Sequence, residues 1–318
     1  MTPIKTAEID PTPEGIARAV ALLGDGHLVA MPTETVYGLA GDATSDTATA
    51  RIFQAKERPR FNPLIIHIEN MEQAQRLGQF DDRALALAKA FWPGPLTMVL
   101  PLCPDAGLSR LATAGMPSVA LRMPAHPVAR ALLRAFKGPL AAPSANPSGR
   151  ISPTRSDHVM ASLAGRIAAV LDGGPCQVGL ESTIIGLVGP ARLLRPGGLA
   201  AERIEAVLGA ALLPPGPGIT APGQMISHYA PHGRVLLNVR KPSSGQVWVG
   251  FGPTCPGAAL TLSASGELTE AAAHLFHVLH QADVLAGPKG TIAFAPVPDV
   301  GLGRAINDRL RRAAAPRG

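Results

Sequence analysis

With 318 residues, 46% of them hydrophobic and 4% aromatic, the chain has material for two domains and is too apolar to be disordered throughout. The 29 Lys and Arg outnumber the 23 Asp and Glu, and the net charge of +6 suits phosphate-bearing or other anionic partners, although an Arg-rich solvated face reads the same way. Three scattered cysteines without a Cys-x-x-Cys pair argue against a disulfide framework or a zinc site, and neither a signal peptide nor an apolar run of about 18 residues is present, so a cytoplasmic, non-membrane protein with reduced thiols is expected.

In chain order, the pattern predicts helix 13–23, strand 27–31, helix 46–57, strand 63–68, helix 83–91, strands 96–101 and 118–123, helix 127–136 and strand 140–142. Helix 155–163, strands 168–172, 182–188 and 192–195, and helix 201–208 follow. Ser45 is placed to cap the second helix. Mixed strands and helices imply a layered α/β domain. The connections 35–46 and 143–154 read as long loops of small polar residues, the kind that carries function. Residues 213–222, L-P-P-G-P-G-I-T-A-P, exclude helix and central strand and read as an extended linker. A second α/β pattern follows, with strands 234–239, 246–251, 259–262 and 291–294 and helices 268–285 and 303–314. The expected organisation is therefore a first domain over 1–212, a linker over 213–233 and a C-terminal domain over 234–318.

Five clusters could carry chemistry. Residues 32–39, P-T-E-T-V-Y-G-L, set hydroxyls at a strand end, where a small polar ligand could bind or a Thr-rich turn could simply form. Lys56 and Arg58 sit at a helix end beside Pro59, Asn62 and Pro63, with His67 on the next strand. Cations there complement the helix dipole, but a stiff basic loop also binds anions, Arg by its planar fork and Lys as a point charge. Arg122 lies in an apolar strand, where a charge needs a partner or an anionic ligand such as a carboxylate. The run A-P-S-A-N-P-S-G, 142–149, with Ser152 beyond it, offers amides and hydroxyls to phosphates but is no P-loop. The Gly-rich turns at 172–174 and 179–184, and Arg195 beyond them, bring more hydroxyls and a second strand arginine to strand ends, where α/β sheets commonly bind ligands. Together the clusters suggest an anionic, ATP-like ligand and a small zwitterion.

The same stretches resemble the YrdC-like family of threonylcarbamoyl-AMP synthases in its longer, two-domain form. P-T-E-T-V-Y-G-L, K-E-R-P…N-P-L, F-W-P-G-P-L-T, S-V-A-L-R-M-P, A-P-S-A-N-P-S-G-x-x-S-P-T, D-G-G, G-L-E-S-T-I and L-L-R-P-G run in the family's order, followed by H-Y-A-P in the linker and a similar last helix. The resemblance implies a twisted, mostly open mixed sheet with flanking helices and a smaller Rossmann-like C-terminal domain. It implies synthesis of L-threonylcarbamoyl-AMP from L-threonine, bicarbonate or CO2, and ATP, with release of pyrophosphate, the first step of threonylcarbamoyl-adenosine modification of tRNA. By the same resemblance Thr35, His67, Arg122, the Ala142 backbone and Ser182 hold threonine. Arg58, Asn62, Ser118, Ser144, Asn146, Ser152 and Arg195 hold ATP. His228 and Tyr229 close over it from the linker, and Lys56 joins Arg58 as a catalytic residue beside the phosphates and the carbamate. Mg2+ would be held mainly by phosphates, with no protein ligand assigned, and the product would pass to a separate tRNA-modifying transferase. One departure stands out: where the family often carries a basic or aromatic run before the His-Tyr pair, this chain has Gly223-Gln224-Met225-Ile226-Ser227, so a linker poor in charged contacts is expected.

Three other readings compete. The basic charge also fits an RNA-binding module or weak direct RNA contact, but the few scattered aromatics offer no stacking platform. Another carbamoyl-transfer enzyme built on the same domain would bring Cys clusters that are missing here. A nucleotide-binding regulator without turnover would not need Lys56, Arg58, Ser144 and Asn146 together.

Overall fold

The computed structural model describes residues 5–59, 61–216 and 228–316; residues 217–227, which hold most of the predicted linker and the departure at 223–227, lie outside the described residues. The first part runs β1 (Ala7–Ile9), α1 (Pro13–Gly24), β2 (Val29–Met31), β3 (Gly38–Asp42), α2 (Asp46–Lys56), β4 (Ile65–His67), α3 (Met71–Leu77) and α4 (Asp82–Phe91). It continues with β5 (Leu96–Pro101), β6 (Ser118–Arg122), α5 (Pro127–Phe136), β7 (Leu140–Ala141), α6 (Ser156–Leu163), β8 (Ala169–Leu171), β9 (Thr183–Gly186), β10 (Arg192–Arg195) and α7 (Ala201–Leu208). Its strands form one mixed sheet in the order β1-β8-β2-β3-β7-β4-β6-β5-β9-β10.

The predicted α/β class holds, and three elements correct the sequence reading. The stretch 35–46, read as one long loop, contains β3, which pairs antiparallel with β2 and β7. Strand β1, in the polar N-terminal stretch, pairs with the sheet edge at β8. Helix α3, capped by the Asn70 side chain on the Gln73 amide, fills a gap left unassigned. Ser45 caps α2 as expected, its side chain accepting from the Ala48 amide. Glu57 ends that helix in the left-handed conformation at φ 52°.

Strand alternation decides where the site can form. Ala30, Leu39, Ile66, Met98, Leu121 and Ile185 join one core with residues of α2, α3, α4, α6 and α7. On the opposite face, Val29, Met31, Ala40 and Leu140 pack against α1 and α5. Over the other half of that face the apolar patch shrinks to Ile65, Val99, Ala120, Ile184 and Leu194. His67 and Arg122, register partners on parallel β4 and β6, share the face of Ile65 and Ala120.

The second part holds β11 (Arg234–Leu236), β12 (Gln246–Gly250), β13 (Leu260–Thr261), α8 (Leu268–Ala286), β14 (Thr291–Phe294) and α9 (Leu302–Ala314). Its strands form a parallel sheet in the order β11-β14-β12-β13. Its core takes in Val36, Ile151 and Leu180 from the first part together with Tyr229. The seam between the two parts thus closes over the loops at the ends of the first sheet.

Candidate functional site

One cavity of about 40 Å³ lies at that seam. Its walls include Thr35, Arg58, His67, Arg122, Ala142, Ser144, Ser182, Arg195, His228 and Tyr229, so ten of the sequence-nominated residues meet there. Lys56, Asn62, Ser118, Asn146 and Ser152 are not among the lining residues. Lys56 is buried behind the wall, where its ammonium donates to the carbonyls of Ser144 and Asn146. Asn62 is buried, and its carbonyl accepts from Arg58 Nε at 3.2 Å. Asn146 spans its own turn, donating to the carbonyls of Pro147 and Arg150. Ser152 donates to Glu181 Oε1 at 2.6 Å. Ser118 opens β6 opposite Pro101.

Glu34, Glu181 and Arg309 complete the site and were not nominated. Arg122 Nη2 donates to Glu34 Oε1 at 2.6 Å, and the Ala125 amide donates to the other carboxylate oxygen at 3.0 Å. Burial opposes the Glu34 charge, but Arg122 and the backbone hydrogen bonds to the carboxylate together outweigh it and hold the carboxyl below its usual range. Glu181 Oε2 accepts from Arg309 Nε at 2.9 Å. Burial works against the Glu181 charge too, yet Arg309 and then Arg195 hold its pKa down at about 2. Both carboxylates sit inside motifs singled out for their hydroxyls, P-T-E-T-V and G-L-E-S-T. The available signal was electrostatic: arginines in apolar strands call for countercharge.

The hydroxyl positions are tightly tied. Thr33 Oγ1 donates to the Val36 carbonyl at 2.6 Å and shares a 2.8 Å contact with Thr35 Oγ1. Ser182 Oγ lies 2.7 Å from Thr97 Oγ1. Arg195 Nη2 donates to the Ser182 carbonyl at 2.8 Å, and Arg58 Nη2 to the Pro63 carbonyl at 2.9 Å. Burial, then Arg122, pushes His67 down to about 3, so the imidazole is neutral near pH 7, and its Nδ1 has no hydrogen-bond partner. His228 is likewise driven to about 3 by burial, with Lys56, Arg58 and Arg195 among the charges around it. Tyr229, at φ 62°, packs against the His228 ring at 4.0 Å and lies beneath the Arg309 guanidinium at 5.3 Å.

The charge balance is one-sided. Among the described residues the buried cations are Lys56, Arg58, Arg122, Arg195 and Arg309, all at this site, and the buried carboxylates are Glu34 and Glu181. Burial and the neighbouring Arg58 push the Lys56 ammonium well below its ordinary pKa, and burial with Arg195 takes Arg58 to about 10. Such a cluster is stabilised when an anion enters. A resident metal does not fit: both carboxylates are already engaged by arginines, and no group of three His, Cys, Asp or Glu among the described residues could hold an ion.

A mixed α/β sheet whose strand ends open into a buried, cation-lined cavity, closed by a second α/β domain, is the architecture of a two-domain α/β enzyme. Residues 21–197 match the family model described as "Telomere recombination", and residues 199–315 match that described as "Threonylcarbamoyl-AMP synthase, C-terminal domain". The threonylcarbamoyl-AMP synthase of Bacillus subtilis is 40% identical over 336 residues, covering 98% of this chain and 96% of that one. The crystal structure of P. abyssi Sua5 complexed with L-threonine superposes with a TM-score of 0.88 at 38% identity, covering 97% of both chains. A second structure of that protein, with an adjacent His and Tyr both replaced by Ala, gives 0.87 at 37% identity over 97% of this chain and 96% of that one. This chain belongs to the two-domain threonylcarbamoyl-AMP synthase family.

Proposed function

We propose that the chain condenses L-threonine, bicarbonate or CO2, and ATP into L-threonylcarbamoyl-AMP with release of pyrophosphate, the first step of threonylcarbamoyl-adenosine formation in tRNA. The observation that carries this reading is the excess of buried cations around one hydroxyl-lined cavity, an arrangement suited to a polyphosphate and an amino-acid carboxylate together. The threonine amine takes up CO2, forming a C–N bond and releasing a proton. A carbamate oxygen then attacks the α-phosphorus, and the bond to the β-phosphate oxygen breaks as pyrophosphate leaves.

In this reading Arg122, oriented by Glu34, receives the amino-acid carboxylate, and neutral His67 beside it hydrogen-bonds the zwitterion. Thr35 and Ser182 supply hydroxyls for the threonine side chain, and Ala142 supplies backbone contact. A site that hydrogen-bonds that hydroxyl rejects valine, whose entry would leave polar groups unpaired. Arg58 and Arg195 neutralise the phosphates, with Ser144, Ser118 and the turns built by Asn62, Asn146 and Ser152 forming the nucleotide wall. Lys56 fixes the Ser144–Asn146 carbonyls and adds positive charge behind the phosphates. His228 and Tyr229 exclude water. Holding two reactants in line is worth roughly 7–11 kcal/mol of the barrier. Mg2+ would arrive with the nucleotide and offset phosphate charge, with no protein ligand assigned to it. The three free cysteines fit a cytoplasmic enzyme, with the mixed anhydride passed to a tRNA-modifying transferase.

Incubation with ATP, Mg2+ and bicarbonate, with threonine present or omitted, tests the reading through pyrophosphate release. Release that needs all four components is the expected result. Release indifferent to threonine would sink it.

A further inference from the structure

The second domain sends one charged side chain into the wall of the cavity. Arg309, on α9, is fully buried. Its Nε donates to Glu181 Oε2 at 2.9 Å, its Nη1 to Asp308 Oδ2 at 2.7 Å, and its guanidinium lies 5.3 Å over the Tyr229 ring. Glu181 lines the cavity next to Ser182, and its other oxygen accepts from Ser152. Arg195 also lines the cavity and donates to the Ser182 carbonyl. Glu181 is therefore paired with an arginine from the other domain, and Arg195 lines the same cavity.

We propose that Arg309 is a positioning residue for the reaction: it engages the Glu181 carboxylate, so that this carboxylate does not compete with the nucleotide for Arg195, and it seats Tyr229 against the site. A buried carboxylate cannot stay unpaired. Without Arg309, the cation best placed to neutralise Glu181 is Arg195, whose charge already acts on that carboxylate. Arg195 would then be drawn from phosphate to protein. Tyr229 would lose the cation above its ring while held at a φ of 62° that a tyrosine seldom adopts. The second domain thus acts on the nucleotide through Glu181 and Arg195. This inference rests on the proposed reaction and its ATP site.

The test compares Arg309→Met, Arg309→Lys and the double variant Glu181→Gln/Arg309→Met with the parent full-length chain. Three quantities are read: the KM for ATP against kcat in pyrophosphate release, ATP binding without threonine, and amide hydrogen exchange at 228–230. Arg309→Met is expected to weaken ATP binding and raise its KM about tenfold, the coupling typical within one charge network, with the smaller change in kcat. Exchange at Tyr229 and Ala230 should quicken while β11, β12 and β14 keep their protection. Arg309→Lys should fall between Arg309→Met and the parent. The double variant, which leaves no unpaired carboxylate at position 181, should recover most of the ATP affinity. Parental binding and exchange in Arg309→Met would overturn the inference, as would a double variant no better than the single. Should Arg309→Met fail to fold, Arg309→Lys and the double variant carry the same comparison against the parent. A parent that binds ATP but releases no pyrophosphate would refute the reaction and leave the binding and exchange results to judge Arg309.

Discussion

At the scale of single residues, the buried cations divide into two kinds. Arg122 has a dedicated carboxylate in Glu34, and the pair is buried on both sides. Lys56 and Arg58 donate to carbonyls, and beyond burial Arg58 disfavours the charge on Lys56 as Arg195 disfavours that on Arg58. The two kinds should therefore respond differently to removal. Lys56→Ala or Arg58→Ala is expected to abolish threonine-dependent pyrophosphate release while the fold is kept, because relief of a penalised charge offsets part of the cost of the carbonyls left without a donor. Arg122→Ala should cost about 3–5 kcal/mol of stability by stranding Glu34, and urea unfolding reads that loss. Near-normal turnover in both Lys56→Ala and Arg58→Ala would refute their assigned roles. Arg122 was legible in the sequence because a charge in an apolar strand is conspicuous. Glu34 and Glu181 were not, since a carboxylate in a Thr- or Ser-rich turn looks like ordinary turn chemistry until the fold brings an arginine to it. Arg309 is more distant still, one of three arginines in seven residues of a C-terminal helix, and only the packing of α9 singles it out.

At the scale of elements, strands that carry two or more β-branched residues, such as β4, β5 and β9, announce themselves in the sequence. Strand β3 does not: its sequence, G-L-A-G-D, has two glycines and no β-branched residue, and it is a strand because β2 and β7 pair with it on either side. Gly179 shows a tertiary constraint that local pattern cannot reveal. It has a φ of +69°, and a Cβ there would meet the carbonyl oxygens of Ala273 and Ala272 on α8 at 2.4 and 2.6 Å. Gly189 shares the positive φ, at +79°, but has nothing within 4 Å. Gly189→Ala should lose only the cost of the left-handed conformation, about 1–2 kcal/mol. Gly179→Ala should lose more and also loosen the docking of α8, seen as faster amide exchange along the seam. Equal losses in the two variants would show that the α8 contact does not constrain this turn.

At the scale of the whole molecule, the seam between the domains carries a second feature, a stack of three histidines of which His158 is buried and the other two half-buried. His158, on α6, lies 4.0 Å from the His280 ring and 3.2 Å from His277 Nδ1, both on α8. His280 Nε2 lies 3.2 Å from the Ser152 carbonyl, so the stack also reaches the loop that carries Ser152. Arg155, Asp157, His274 and Asp283 are the other charged or titratable groups acting on it. Burial, then the neighbouring histidines and Arg155, takes His158 to about 3, and burial takes His280 to about 4. The sign follows from linkage. An unfolded histidine binds its proton near 6.5, well before these folded ones do, so the unfolded chain binds more protons as pH falls. The stabilisation is complete above pH 6.5 and declines as pH drops toward 3–4. His67 and His228, both held at about 3 inside the cavity, add to the decline in the same direction. Replacing His158 and His280 by Gln isolates the seam's share, because the amide keeps a polar group in place without a charge to gain. The thermal midpoint of this variant, followed from pH 7 to pH 4, should fall less steeply than that of the parent, with amide exchange along α6 and α8 changing first in the parent. Identical slopes would assign the acid sensitivity to the cavity histidines instead, and the two domains would then part only after the site itself had been protonated.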